Sequence, residues 1–327
     1  MEYRSLGRTG LSVSALGFGC GNVGGLMVRG TPAEQERAVA RAIELGVNYF
    51  DTAPSYGGGQ SEQNLGRVMR ALKPAVYVGT KFHIPRAERT DVAAAITRSL
   101  ESSLRRLGME RVDLLQCHEH IVSDDAEAGL SARVLLGEAV PALEKLRQQG
   151  KIGFFGITAL GETPALHQAI DAGALFTAQV CLNLVNPSAA FEIPSGYPTQ
   201  DFGRLLPRAR QHGVGAIVIR VLAAGALSGV EARHPIAVPS VDPIASGPDY
   251  RADVRRAQKF RVLVDEGHAA SLVEASLRLP LASDAVSTVL LGYSTLEHLE
   301  EAARAIAKGP LSPVALERLQ KVWRGLN

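Results

Sequence analysis

Four side chains able to move or stabilise a proton recur between residues 51 and 118: Asp51, Tyr56, Lys81 and His118. Asp51 ends the apolar run Val47-Asn48-Tyr49-Phe50 and opens a Gly- and Ser-rich loop, with Tyr56 five residues further on. Lys81 closes Val76-Tyr77-Val78-Gly79-Thr80, and His118 closes Val112-Asp113-Leu114-Leu115-Gln116-Cys117. Each has an ordinary explanation alone. An Asp caps loops, a loop Tyr packs on a helix, most lysines face solvent, and a strand-end His can be hydrogen-bonded locally. Three polar groups, each at the end of a buried-strand pattern and joined by a loop Tyr, are much harder to explain by chance. The chemistry follows from the types. A phenol ordinarily ionises near pH 10, and a neighbouring ammonium favours the phenolate. A part-buried ammonium wants a carboxylate partner, which Asp51 on the adjacent strand can be. His118 can donate to a carbonyl oxygen. Together these form a general acid aimed at a developing alkoxide.

The elements that must position them alternate regularly. Residues 2 to 14 read as a hairpin, with Tyr3, Leu6, Leu11 and Val13 around a Gly7-Arg8-Thr9-Gly10 turn. Strand patterns then cover 15–19, 47–51, 76–81, 112–118, 152–158, 177–183, 215–221 and 286–292. Helical spacing predicts helices near 33–45, 61–71, 91–107, 138–149, after Pro164, 201–212, 251–266, 269–281, 295–307 and 313–324. Eight strands alternating with helices predict a parallel α/β fold. A closed (β/α)8 TIM barrel with an N-terminal β-hairpin and extra C-terminal helices suits the count, as one domain over 1–327. A doubly wound open sheet is the alternative. In a barrel, Asp51, Lys81 and His118 share the catalytic face. Residues 223–250, with Pro235, Pro239, Pro243 and Pro248, read as a long lid or binding loop.

Gly19-Cys20-Gly21-Asn22-Val23-Gly24 spells GxGxxG after a strand. A dinucleotide fingerprint needs a helix opening on the last glycine. The helix start signals come later, at Thr31-Pro32-Ala33-Glu34, with an N-cap, a first-position proline and a capping box. The glycines therefore read as a flexible strand-end loop.

Bulk composition narrows the partners. A net charge of +2 offers no field for a polyanion, so no nucleic-acid partner is expected. No apolar run reaches a membrane-spanning length, and MEYRSLGRTG lacks a signal core, so no membrane partner is expected. The three cysteines, Cys20, Cys117 and Cys181, form no disulfide framework, which predicts a cytoplasmic protein. The acid aimed at an alkoxide makes a small carbonyl compound the expected partner, and oligomeric state is left open.

The run Gly46 to Gly66, GVNYFDTAPSYGGGQSEQNLG, resembles the aldo-keto reductase signature G-x-x-x-x-D-T-A, Tyr, E-x-x-L-G. Gly46, Asp51, Thr52, Ala53, Tyr56, Glu62, Leu65 and Gly66 match it. The resemblance implies a nicotinamide-dependent oxidoreductase in which Asp51, Tyr56, Lys81 and His118 form the catalytic tetrad. It also implies dinucleotide binding across the barrel mouth. Thr158, Gln179 and Asn183 would meet the carboxamide, with Ile219 and Arg220 beside the nicotinamide. Leu222 to Gly229, including Gly225, and then Gly292, Tyr293, Ser294, His298 and Glu301 would meet pyrophosphate and adenosine. Two positions depart from the family. Ile219 stands where an aromatic often stacks, and Ser294, Thr295 and His298 stand where Arg or Lys often meets a 2′-phosphate. NADP(H) is the family expectation, and these departures make NAD(H) plausible. YGGGQSEQNLG, DLLQCHEH and EAVPALEKLRQQGKIGFFGIT are similar to the aldose dehydrogenase branch, which oxidises sugars such as L-galactose or L-fucose at C1. That places Glu119 and His120 near the sugar hydroxyls, against a reading as a solvated loop. Two alternatives come from other classes: a metal-dependent barrel hydrolase using His118-x-His120, and a non-catalytic regulatory protein like potassium-channel beta subunits.

Overall fold

Eight parallel strands close into a barrel in the computed structural model, which describes residues 1–124 and 129–326. They are β1 (Leu16–Gly19), β2 (Tyr49–Asp51), β3 (Tyr77–Phe82), β4 (Val112–Cys117), β5 (Ile152–Thr158), β6 (Thr177–Cys181), β7 (Gly215–Ile219) and β8 (Val286–Gly292). Each pairs with the next in chain order and β8 returns to β1, so the open-sheet alternative is excluded. Because strand side chains alternate, each short strand sends one set to the barrel axis and one to the surrounding helices. Phe50, Val78, Phe82, Leu115 and Cys117 join the outer core. Tyr49, Leu114 and Ile217 point inward and meet Leu6 and Val13 of the hairpin, Tyr3–Ser5 against Ser12–Ser14, which plugs the bottom. The interior is so full that Gly79 is required: a Cβ there would lie 2.8 Å from the Tyr49 hydroxyl.

The helices start where their caps predict. Thr31 and Glu34 close a reciprocal capping box on Pro32–Glu44, and Asp91 caps Val92–Leu107. Four expected helical spans differ; the one expected over 269–281 is Leu272–Arg278, followed by a 3₁₀ turn at Pro280–Ala282. The helix expected over 201–212 is Leu205–Gln211, because Gly203 and Arg204 are left-handed at φ 56° and 57°. The one expected over 251–266 breaks into Tyr250–Ala257, a 3₁₀ stretch Gln258–Arg261 and Val262–Asp265. The one expected over 138–149 runs as an α-helix over Val140–Gln148 after a wide turn, Leu135–Ala139. A short pair, Ile121–Val122 with Leu130–Ser131, follows β4 unannounced by any pattern. Among the described residues no helix is long and apolar enough to cross a membrane.

The GxGxxG segment does meet one helical turn, Leu26–Arg29. Its first amide is already spent, however, donating from Leu26 N to the Tyr293 carbonyl at 3.1 Å. A Cβ on Gly24 would lie 2.6 Å from the Tyr293 backbone, so this glycine lets the β1 and β8 loops touch. It serves packing, not phosphate.

Candidate active site

Alternation along β2 and β3 aims Asp51 and Lys81 into the barrel, each 1 % exposed. The Lys81 ammonium donates to Asp51 Oδ1 and, at 2.9 Å, to the Thr52 carbonyl. Asp51 Oδ2 receives two further bonds, from the Tyr49 hydroxyl at 3.0 Å and from Gln179 Nε2 at 2.7 Å. The carboxylate is therefore fixed from three sides. Burial draws the Lys81 ammonium down, but Asp51 and the Tyr56 phenol beside it outweigh this and hold it above its ordinary value. Burial first, then Asp51, pushes the Tyr49 phenol well up, so Tyr49 is a neutral donor.

Tyr56 arrives from the loop after β2. Gly57, Gly58 and Gly59 are all left-handed, at φ 61°, 60° and 93°, which turns the chain sharply behind it. Thr52 Oγ1 and Ser61 Oγ lie 2.8 Å apart, and Ser61 donates to the Cys20 carbonyl at 2.8 Å, so both ends of the loop are tied down. The Lys81 nitrogen sits 5.0 Å from the Tyr56 ring centre. The His118 ring meets Tyr56 edge-on at 6.0 Å. Burial, then Lys81, His83 and His120, push His118 down to about 3, which leaves it neutral at pH 7. A neutral imidazole keeps one N–H to donate. All four expected residues thus come together at the carboxyl ends of β2, β3 and β4.

Tyr49 was overlooked in the sequence, although alternation places it two residues before Asp51 on the same face. Glu62, buried outside the barrel, accepts from Thr80 Oγ1 at 2.6 Å and Arg106 Nε at 2.5 Å, and so ties its helix to β3. Among the described residues no three His, Cys, Asp or Glu side chains are grouped to hold a metal, and His120 is exposed.

The expected cofactor positions fall into two groups. Gln179 lies beside Asp51, and Thr158 donates from Oγ1 to Gln179 Oε1 at 3.3 Å. Asn183 instead organises its own loop, accepting from Val185 and Asn186 amides and donating to the Arg220 carbonyl. Ile219 ends β7 half-buried. After it, Arg220, Ala223, Ala224 and Gly225 are left-handed, at φ 57°, 44°, 59° and 108°. Such backbone is costly for residues with a Cβ and recurs at ligand clamps and anion-binding concavities. Leu222 lies within this run, which the guanidiniums of Arg220 and Arg233 flank. Among the described residues the Arg220 guanidinium donates to the Asp242 carbonyl alone, at 3.4 Å, and burial draws it below its ordinary value. This chemistry fits a pyrophosphate. Gly292 is exposed at the end of β8, while Ser294 donates to the Gly24 carbonyl at 2.7 Å. His298, on the helix Leu296–Ala307, faces His234 across 6.2 Å. Burial, then His234, hold it below its ordinary value.

A strap over residues 229–249 crosses the mouth and is held on both sides. Arg29 Nε donates to the Ile236 carbonyl at 2.6 Å, and Arg233 donates to Val238 and Ala224 carbonyls at 2.6 and 2.8 Å. Asn186 Nδ2 reaches the Ala245 carbonyl at 2.5 Å from the β6 side. A cavity of about 650 Å³ opens within the strap, lined by Arg233, His234, Tyr250 and their neighbours.

A closed parallel barrel with a lysine–carboxylate pair and a Tyr at its carboxyl mouth defines a class of α/β enzymes. The family model described as "Aldo/keto reductase family" matches residues 15–324, and the chain belongs to that family. It is similar to L-galactose dehydrogenase of Arabidopsis thaliana, 32% identical over 94% of this chain and 89% of that protein. It is also similar to D-threo-aldose 1-dehydrogenase of Pseudomonas sp, 28% identical over 95% of both chains. The holo form of aldo-keto reductase AKR11C1 from Bacillus halodurans shares the fold, with a TM-score of 0.74 and 24% identity over 98% of this chain and 96% of that one. The protein is an oxidoreductase of a family that uses NAD(P)(H).

Proposed function

We propose that this enzyme interconverts an aldose, or a related aldehyde, with its lactone or alcohol, with Tyr56 as general acid and base. The observation that carries the reading is the Lys81 ammonium, held by Asp51 and lying 5.0 Å from the Tyr56 ring, with neutral His118 edge-on to that ring. A nicotinamide dinucleotide bound across the mouth supplies or accepts the hydride. The chain does the rest. His118 donates a hydrogen bond to the substrate oxygen and orients it. In reduction Tyr56 gives that oxygen a proton, and in oxidation it takes one from the hydroxyl. The Lys81 charge stabilises the phenolate left behind, and Asp51 keeps Lys81 in place. Thr158 and Gln179 hold the nicotinamide end, and the left-handed run 220–225 holds the pyrophosphate. Gly292, Ser294 and His298 lie toward the adenosine. The aldose class draws support from the two sugar dehydrogenases among the relatives. Free, buried Cys20, Cys117 and Cys181 support a reducing, cytoplasmic setting.

The test follows nicotinamide absorbance with L-galactose, L-fucose and a panel of aldehydes, with NAD(H) and NADP(H). Turnover of at least one aldose is expected. Absence of turnover with every aldose and aldehyde would refute the reading and favour a binding role.

A further inference from the structure

A second polar pair stands at the mouth beside the tetrad. His83 lies two residues beyond Lys81, and His118 two beyond Gln116. Between them Phe82 and Cys117 are paired across β3 and β4, and both belong to the outer core. Alternation therefore turns His83 and His118 to the same side, toward the mouth and next to each other. The His118 amide donates to the Phe82 carbonyl at 3.0 Å, which continues the pairing to this level.

Glu119, expected to lie near sugar hydroxyls, is instead 6% exposed and already engaged. Its Oε1 accepts the Ile84 amide at 2.7 Å and lies 2.6 Å from His83 Nδ1. A buried carboxylate thus fixes one nitrogen of a ring that is itself 60% exposed. With Nδ1 turned to Glu119, Nε2 is the ring nitrogen left to accept a hydrogen bond, at a set position. Glu119 is a positioning residue, and His83 is the group presented.

We propose that His83, held by Glu119, is a specificity-determining residue that accepts a hydrogen bond from a hydroxyl next to the reacting carbonyl of a polyhydroxylated substrate. This rests on the oxidoreductase reading above. A placed acceptor favours a substrate carrying the hydroxyl over one lacking it. 2-Hydroxypropanal and propanal share a carbon skeleton and differ only by the hydroxyl next to the carbonyl, so the ratio of their kcat/KM values isolates this contact. In His83→Phe, which keeps a ring and removes the acceptor, that ratio should fall by about 3- to 10-fold, the range of one ordinary hydrogen bond. His83→Asn, which retains a polar group, should recover part of it, and Glu119→Gln should lower the ratio less than His83→Phe does. A purely structural role would depress both substrates together and leave the ratio alone. An unchanged ratio in His83→Phe, with cofactor affinity and circular dichroism intact, overturns this inference and leaves the oxidoreductase reading standing. No turnover of any aldehyde or aldose by the unmodified enzyme overturns both.

Discussion

The floor of the mouth and the strap above it are built on opposite principles. On the floor, Tyr49, Asp51 and Lys81 sit on the adjacent strands β2 and β3 and Gln179 on β6 across the barrel, and side chains bond side chains in the interior. In the strap, side chains such as Arg29, Arg233 and Asn186 bond carbonyls of irregular backbone. The floor is preorganised, because moving Asp51 breaks contacts with three other residues at once. The strap is tied through separate bonds to loop carbonyls, so its opening is expected to leave the barrel undisturbed. The difference divides the labour: an electrostatic site gains from rigid dipoles, and a large ligand must get in and out.

The sharpest way to break this comparison is at Lys81 and Tyr56. Tyr56→Phe keeps the ring and its packing and deletes the one hydroxyl assigned to pass the proton. Turnover should fall by about 10² to 10⁴, with cofactor affinity held. Lys81→Met should lose as much activity and, in addition, about 3 to 5 kcal/mol of stability, because Asp51 is left buried without its charge partner. Denaturant unfolding and steady-state rates separate the two. A Tyr56→Phe enzyme at near-parent rate would remove the proton-transfer assignment, and a stable Lys81→Met would show that the floor is not held by that pair.

The two regions also differed in how far the sequence disclosed them. Asp51, Lys81 and His118 were readable because each ends a strand whose apolar pattern is local, and a barrel places strand ends on one face. Tyr49 and His83 obey the same period-two rule, two residues from Asp51 and Lys81, but they lie in or beside apolar runs and read as core or loop. Glu119 was legible as a polar residue near His118, not as a buried anchor, since its partners Ile84 and His83 come from another strand's end. The strap was legible only as a long Pro-rich loop. Its shape depends on carbonyls distant in sequence, such as Val23 and Ala224, and on left-handed Ala223 and Ala224, which no residue preference signals.

A second test sharpens the contrast at the adenosine end. Ser294 is spent on the Gly24 carbonyl, and His298 is held toward its neutral form by burial and His234. Neither brings a charge to a 2′-phosphate at pH 7. The dissociation constants of NADPH and NADH should therefore lie within about tenfold of each other. His298→Arg should shift the ratio toward NADPH by roughly 10- to 150-fold, the worth of a charged hydrogen bond. A parent enzyme that already prefers NADPH by several orders of magnitude would mean another cation, such as Arg37 or Arg304, reaches the phosphate.

Within the floor, redundancy can be measured. Asp51 Oδ2 has two donors, so Tyr49→Phe alone should cost no more than about 0.5 to 1.5 kcal/mol, as should Gln179→Leu. Removing both strips that oxygen of its donors, and the double variant should lose about 1 to 3 kcal/mol beyond the sum. Additive losses in a double-mutant cycle would show that Tyr49 and Gln179 act separately.

The smallest effect belongs to the strap. Arg233 bonds the Val238 and Ala224 carbonyls, reaches the Val23 carbonyl at 3.5 Å, and lies over the Tyr250 ring at 5.1 Å. Arg233→Ala removes these ties together. The carbonyls they leave are only part-buried, so water replaces much of each lost bond. The barrel contributes no side chain to this cluster, and global stability should change by less than about 0.5 kcal/mol. What should change is how often the strap opens. Cofactor release, followed by stopped-flow fluorescence, should quicken by about 3- to 10-fold, while Tyr56 chemistry in single turnover stays at the parent rate. If release were unaffected, the strap would not gate the cofactor. If the unfolding midpoint dropped by several degrees, strap and floor would be one cooperative unit, and the division between a fixed floor and a separable cover would not hold.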